Sequence, residues 1–261
     1  MSSFLYNKLD ILYICDILKT MKIAESIAKQ VAKLPPGHVF TYSDVLKQPD
    51  AKEAVIKALN RMVGANKLAK LGKGKYYKAE KTVFGNLEPD QYQVVKDILE
   101  SDGDATGYLT GYSIYNKLGL TTQVSNTIQI GKNDVRSPFK RGRYTIAFIK
   151  QKNKITKENI PLLQILDAVR YIKKIPDTTL LSSLERLLVI LGNLSLADKK
   201  RMVDLLFKYP AATRALVGAM FEKLGNEGLA KKLRNTLNPV TVYKMPGISN
   251  LITNAENWNI K

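Results

Sequence analysis

Asn60 and Arg61 are adjacent polar residues in a stretch whose apolar positions, Val55, Leu59, Met62 and Val63, recur at helical spacing. An amide and a guanidinium side by side on a helix can hydrogen-bond to base edges in a DNA major groove. Lysines suited to phosphate surround them: Lys52 and Lys57 on the same helix, and Lys70, Lys73 and Lys75 on the segment that follows. Residues 47 to 81 hold ten basic side chains against Asp50, Glu53 and Glu80. Tyr42 and Ser43, just upstream, can also reach phosphates, and each suits a capping or core position equally well. The bland alternative for the whole surface is a solvated basic face on a domain used for protein contact.

A second concentration of charge runs from Gly131 to Lys157, where nine basic residues face Asp134 alone. Its contact candidates are Lys132, Arg136, Lys140, Arg141 and Arg143. The last three crowd Gly142 in a predicted turn between strands. Such a loop can lie on phosphates, dock on an acidic partner, or simply be a hairpin tip kept soluble by charge.

The elements that must position these residues follow from the apolar spacing and the turn residues. Residues 1 to 20 read as an accessory amphipathic helix. From Met21, the repeat of Ile23, Ile27 and Val31 predicts a helix that stops at Pro35-Pro36-Gly37. Val39-Phe40 is extended, and Thr41 caps a short helix from Tyr42 to Lys47, with Asp44 in the capping-box position and Pro49 closing it. Asp50 to Glu53 is a second helix start, and Gly64 and Asn66 end that helix. Leu68 to Leu71 and Lys75 to Lys78 form a hairpin through Gly72-Lys73-Gly74. Helix, short helix, helix, hairpin is the order of a winged helix-turn-helix, assigned to residues 21–84.

Beyond a linker at Gly85 to Pro89, residues 85–175 read as a mixed α/β unit. Its helices span Gln91 to Leu99 and Leu109 to Leu118, its strands span Gln123 to Ile130 and Arg143 to Ile149, and a last helix opens at Pro161 and reaches Lys174. Residues 176–261 read as a helical bundle with breaks at Gly192-Asn193, Tyr209-Pro210 and Gly225-Asn226. A late strand over Val240 to Tyr243 and a loosely held tail after Pro246 complete it. The fold class expected is α+β, mostly α.

Charge and composition narrow the chemistry. A formal charge of +18 points to a polyanionic partner. One cysteine, Cys15, and one histidine, His38, remove disulfide frameworks and Cys/His zinc sites. No phosphate loop, nucleophile elbow or HExxH pair occurs. Asp102-Gly-Asp104-Ala-Thr106-Gly107 begins like a calcium loop, but Ser113 stands where the bidentate glutamate belongs, so a polar turn is the reading. No catalytic residue, metal or cofactor is expected. The apolar run from Leu9 to Leu18 contains Asp10 and Asp16 and is too short to span a bilayer, so no membrane association and a reducing cytoplasm are expected.

The order of LAKLGKGKYYK, then GYLTGYSIYNKLGLTTQV, then ITKENIPLLQILDAVRYIKKIPDT resembles the AbiEi-type antitoxins of bacterial type IV abortive-infection systems. The resemblance covers about Met21 to Leu237 and is strongest from Gly107 to Asp177. It implies a DNA-binding autorepressor acting on inverted repeats in its own promoter, with a homodimer on the DNA. It also implies a C-terminal domain that counteracts a nucleotidyltransferase toxin. By position, the winged-helix roles fall on Asp50 to Asn66 and Ala69 to Lys78. The readings set against it are a protein-interaction module without a promoter target and, third, a nucleic-acid-processing enzyme.

Overall fold

A computed structural model describes residues 8–83, 85–101 and 103–261. Leu5 and the rest of the first seven residues of the expected accessory helix, and Asp102 of the calcium-like turn, lie outside the described residues. The described chain is a mixture of helices and small sheets in which helix predominates. It divides into two compact units, one ending at Val95 and one beginning at Lys96.

The first unit opens with α1 (Lys8–Lys33), a single helix of 26 residues. Between residue 8 and Met21 the expected separation from a helix beginning at Met21 is therefore not seen: no glycine or proline interrupts the chain there, and Thr20 lies within the helix rather than capping a new one. After the Pro35-Pro36 stop come β1 (Val39–Thr41) and α2 (Tyr42–Val45). The Asp44 carboxylate accepts the Thr41 backbone N–H at 2.6 Å and the Thr41 hydroxyl at 2.9 Å, so the capping box forms with Asp where Glu is usual.

Pro49 does not merely close α2; it begins a 3₁₀ turn, Pro49–Ala51, that leads into α3 (Lys52–Gly64). The N-cap of α3 is Ala51 without a side-chain cap, so Asp50 does not play the expected capping role. Preceding helical residues already supply the turn that a capping side chain would otherwise complete. Asn66, at φ 54°, follows the helix. The strands β2 (Ala69–Gly72) and β3 (Lys75–Tyr77) pair antiparallel, and β1 pairs with the other edge of β3. Ile27, Val31, Phe40, Val45, Val55, Leu59, Leu68 and Tyr76 form the core beneath. The expected linker at Gly85 to Pro89 is partly a hairpin, β4 (Glu80–Thr82) with β5 (Gly85–Leu87). β5 is exposed throughout and so has no apolar alternation to signal it.

The helix α4 (Gln91–Leu99) follows and carries the boundary between units. In the second unit, β6 (Glu100–Ser101) and β7 (Asp104–Ala105) form a two-residue ladder. The segment expected as one helix from Leu109 to Leu118 is instead β8 (Gly107–Thr110) followed by the single turn α5 (Tyr112–Tyr115). Gly111 makes that switch: at φ 56° and ψ −131° it occupies backbone space closed to other residues, and a Cβ there would stand 1.8 Å from the Gln129 side-chain oxygen. Leu109 and Tyr112 keep a helix-like spacing in sequence, but all four residues of β8 are buried.

A four-stranded sheet runs in the order β10 (Phe139–Arg141), β11 (Tyr144–Lys150), β9 (Thr127–Lys132), β8. β9 and β11 pair parallel, with Ile146 opposite Ile128 and Phe148 opposite Ile130, while β10 and β8 flank them antiparallel. The helices α6 (Ile160–Arg170), α7 (Leu180–Gly192), α8 (Leu196–Leu206), α9 (Ala211–Lys223) and α10 (Glu227–Arg234) complete the unit. Pro161 stands in the first turn of α6, and Thr179 and Ser195 accept the Ser182 and Asp198 backbone N–H groups at the starts of α7 and α8. One apolar core runs from Tyr108 through α6–α10 to Ile260, so the division expected between residues 175 and 176 does not appear as a break in packing.

Two expectations for the C-terminus change. Val240 to Tyr243 forms no strand, only an isolated bridge from Tyr243 to Ile260. The tail after Pro246 is not loosely held: Ile248, Ile252, Ala255, Trp258 and Ile260 are all buried. Its polar composition hid an apolar set spaced by two to four residues.

Candidate nucleic-acid interface

The apolar face of α3 is drawn inward by Val55, Ala58 and Leu59, with Met62 and Val63 half-buried beside them. Helical geometry then turns Glu53, Lys57, Asn60, Arg61 and Gly64 outward as one stripe, and all five are exposed. Next to α3 the β2–β3 hairpin carries exposed Lys70 and Lys73 and half-buried Lys75. Tyr76 connects the two elements. Its hydroxyl donates to the Asn60 side-chain oxygen at 3.2 Å, the Lys70 ammonium lies 5.9 Å from its ring, and its ring meets Phe40 at 6.1 Å. Burial pushes the Tyr76 hydroxyl pKa up, so it stays a proton donor to Asn60 at neutral pH.

The structure thus brings Lys57, Asn60, Arg61, Lys70, Lys73 and Lys75 onto α3 and its neighbouring hairpin. Lys52, at the start of α3, sits 5.2 Å over the ring of Tyr42. Tyr42 itself packs against the core, while the Ser43 hydroxyl is exposed and hydrogen-bonded to that of Thr41 at 2.7 Å. Tyr42 thus takes its core reading, whereas Ser43 lies inside α2, whose N-cap is Thr41, and caps no backbone group through that bond. The Asn60 contact with Tyr76 was not legible in sequence, and it has a chemical consequence. With one lone pair of its oxygen already accepting from Tyr76, Asn60 keeps both N–H donors and a single acceptor position, and its rotamer is tied to the hairpin.

The second basic patch resolves differently. Arg141 forks onto Asp97 with contacts of 2.6 and 3.1 Å, and its side chain is 13% exposed. The Lys132 ammonium donates to the Ile98 carbonyl at 3.0 Å. The Arg136 guanidinium lies against the stacked pair of Phe139 and Phe148, at 4.6 and 5.3 Å from their ring centres, and Arg143 lies 5.0 Å from the ring of Tyr144 while donating to its hydroxyl at 2.9 Å. Within the expected contact patch, Lys132 and Arg141 tie the C-terminal end of α4 to the sheet, while Arg136 and Arg143 are exposed, each with its guanidinium against an aromatic ring. Lys140 remains exposed near the tip. The predicted turn at Gly142 is present, between β10 and β11.

A site that the sequence reading missed lies inside the second unit. Asp167 of α6 is fully buried, and its carboxylate accepts hydroxyls from Tyr108 (2.6 Å), Thr110 (2.8 Å) and Tyr209 (2.8 Å). The Gln151 amide donates to both tyrosine hydroxyls at 2.9 Å, and its oxygen accepts from Asn153. Desolvation raises the Asp167 pKa while the three hydroxyl donors and Arg170 oppose it, and burial beside that carboxylate raises both tyrosines far above their ordinary range. The tyrosines act as fixed donors rather than as acids. Four segments meet at this network, so only long-range contact reveals it. Its chemical part is to hold Gln151 and Tyr209 rigidly.

Among the described residues no group of three or more His, Cys, Asp or Glu side chains is placed to hold a metal ion, and no helix is long and apolar enough to cross a membrane. Residues 26–186 match a family described as "Family of unknown function (DUF6088)". No curated protein gives a significant match. Among solved structures, the chain is similar to the crystal structure of RV2827C protein from Mycobacterium tuberculosis. The TM-score is 0.54 at 13% identity, covering 85% of this chain and 84% of that one. At that identity the likeness speaks for the fold alone.

Proposed function

Because this chain belongs to DUF6088, a family of unknown function, we propose its role from its own surfaces: the protein is a DNA-binding antitoxin that represses its own promoter. In this reading residues 21–84 are a winged helix-turn-helix, α3 is the recognition helix and the β2–β3 turn is the wing. The observation that carries it is the exposed Lys57, Asn60 and Arg61 stripe of α3 beside the lysines of β2 and β3. A helix of this size fits a major groove, with Arg61 and the Asn60 amide donors facing base-edge acceptors. Lys52, Lys57, Lys70, Lys73 and Lys75 neutralise phosphates. If all five do so, log binding constant falls against log salt with a slope of about −4 to −5 per protomer, and a homodimer on an inverted repeat doubles it.

The antitoxin half rests on the resemblance of the segments from Gly107 to Asp177. It assigns to the C-terminal unit the task of counteracting a nucleotidyltransferase toxin encoded alongside, in the cytoplasm. Full-length protein titrated onto duplex from upstream of its own gene and onto random duplex, at about 150 mM salt, tests the repressor half. A preference of about a thousandfold or more is expected. Equal affinity for both would end that reading. Co-expression with a neighbouring nucleotidyltransferase gene tests the other half: growth should be rescued, and continued arrest would leave a DNA-binding protein that is no antitoxin.

A further inference from the structure

The C-terminal unit holds a cleft of about 480 Å³ where the end of β11, the end of α6 and the α8–α9 turn converge. Five cations line it, Lys150, Lys152, Arg170, Lys208 and Arg214, and none of its lining residues is acidic. Five like charges in one cleft repel one another, so the site stands at an energetic disadvantage that an anion removes. Behind the floor the buried Asp167 carboxylate accepts from Tyr108, Thr110 and Tyr209 and attracts Arg170, one of the five cations.

Arg214 gives the sharpest indication. Its Nε–H is buried and has no hydrogen-bond acceptor among the described residues. A guanidinium donor in that state is costly, and a phosphate oxygen is the acceptor its planar fork fits best. Arg170 is steadied by its stack on Tyr171, 5.0 Å away, and the Lys208 ammonium reaches the Lys152 carbonyl at 3.4 Å. The floor is preorganised, because Gln151 and Tyr209 are fixed by the buried network.

Size and one further residue distinguish the ligand. A bare phosphate would leave most of the cleft empty, whereas the volume lies in the range of sites for small organic molecules. Phe207, 46% exposed, is part of the lining and presents an apolar ring beside the cations. Bases stack on such rings regardless of identity. We propose that this cleft binds a nucleoside polyphosphate, with its phosphates on Arg170, Arg214 and the lysines and its base against Phe207. The site belongs to the C-terminal unit and does not depend on DNA binding by α3.

Calorimetric titration of the full-length protein with ATP, GTP, AMP, adenosine and tripolyphosphate tests the proposal. The triphosphates should bind more tightly than AMP, and AMP more tightly than adenosine. Arg214→Gln should weaken ATP binding by about tenfold or more, as expected for loss of a charge-assisted contact. Lys150→Gln with Lys152→Gln, exposed positions that leave the core intact, should weaken it as well, which keeps the test valid if Arg214→Gln unfolds. Phe207→Ala should weaken ATP but leave tripolyphosphate unchanged. Lack of ATP binding at about 1 mM, or an affinity indifferent to all these variants, would overturn the proposal. So would tripolyphosphate binding as tightly as ATP, which makes the cleft an anion site blind to the nucleoside. A single-stranded oligonucleotide that displaces ATP with higher affinity would assign the cleft to nucleic acid instead.

Discussion

Removing the Trp258 ring asks whether the C-terminal tail belongs to the core. Trp258 is 2% exposed, and it lies so close to Gly218 of α9 that a Cβ there would stand 2.1 Å from the ring. The Arg234 guanidinium is 4.6 Å from the ring, and the indole N–H donates to Glu222. A side chain of this size buries about 150–250 Å², which at about 25 cal/mol per Å² is worth about 4–6 kcal/mol. A compact unfolded state trims that by about a quarter, to about 3–5 kcal/mol, in line with other core Trp→Ala changes. Trp258→Ala should therefore cost about 4 kcal/mol. For a unit of this size each kcal/mol shifts Tm by about 2–4 °C, so calorimetry should show a fall of about 8–16 °C. Trp258→Phe keeps an aromatic ring, and Glu222 still accepts from Asn254 and Arg234. Its cost should be about 1–2 kcal/mol. A loss below about 1 kcal/mol for Trp258→Ala would refute the reasoning, since it would make the tail an appendage rather than a wall of the core.

Burial pushes the Glu222 carboxyl up, but hydrogen bonds from Trp258, Asn254 and Arg234 outweigh it and leave the pKa below the usual glutamate value. Its contribution to stability is therefore fully present above the unfolded-state pKa and is lost as pH falls through the lowered value. The emission of Trp258, the only tryptophan, should shift to the red in that acid window, and less so in Glu222→Gln; identical profiles would remove Glu222 as the cause. Tyr209→Phe takes one donor from Asp167 and one acceptor from Gln151, and should cost about 1.5–3 kcal/mol by urea unfolding. A neutral result would mean that the network does not hold the cleft floor.

Much of the first unit was legible because its signals are local. The Ile27 and Val31 spacing, the Thr41–Asp44 box, the α3 stripe and the glycine-flanked turn each lie within a dozen residues of sequence. Where they failed, a neighbouring element had taken over the local signal, as when the 3₁₀ turn at Pro49–Ala51 replaced the cap expected from Asp50. The second unit was harder to read for a different reason. Tyr108 and Leu109 look helical beside Tyr112 and Tyr115, yet their conformation is decided by pairing with β9 some twenty residues away and by Asp167 beyond it. Alternation in β9 and β11 revealed strands but not that they run parallel, since period-two burial is the same either way. Charge counting located the basic segment after Gly131 and overstated its availability, because Arg141 spends its charge on Asp97. The cations of the cleft lie in four separate stretches, so no window of sequence contains them.

The proposed division of labour between α3 and the β2–β3 turn is tested most directly by measuring Arg61→Ala and Lys73→Ala on the protein's own upstream duplex and on random duplex, across a salt series. Arg61→Ala should lose about 1–3 kcal/mol on the specific duplex and little on the random one. Lys73→Ala should weaken both alike and reduce the salt slope by about one. Equal losses for both variants on both duplexes would contradict the account, because the exposed face of α3 would then carry charge but read no sequence.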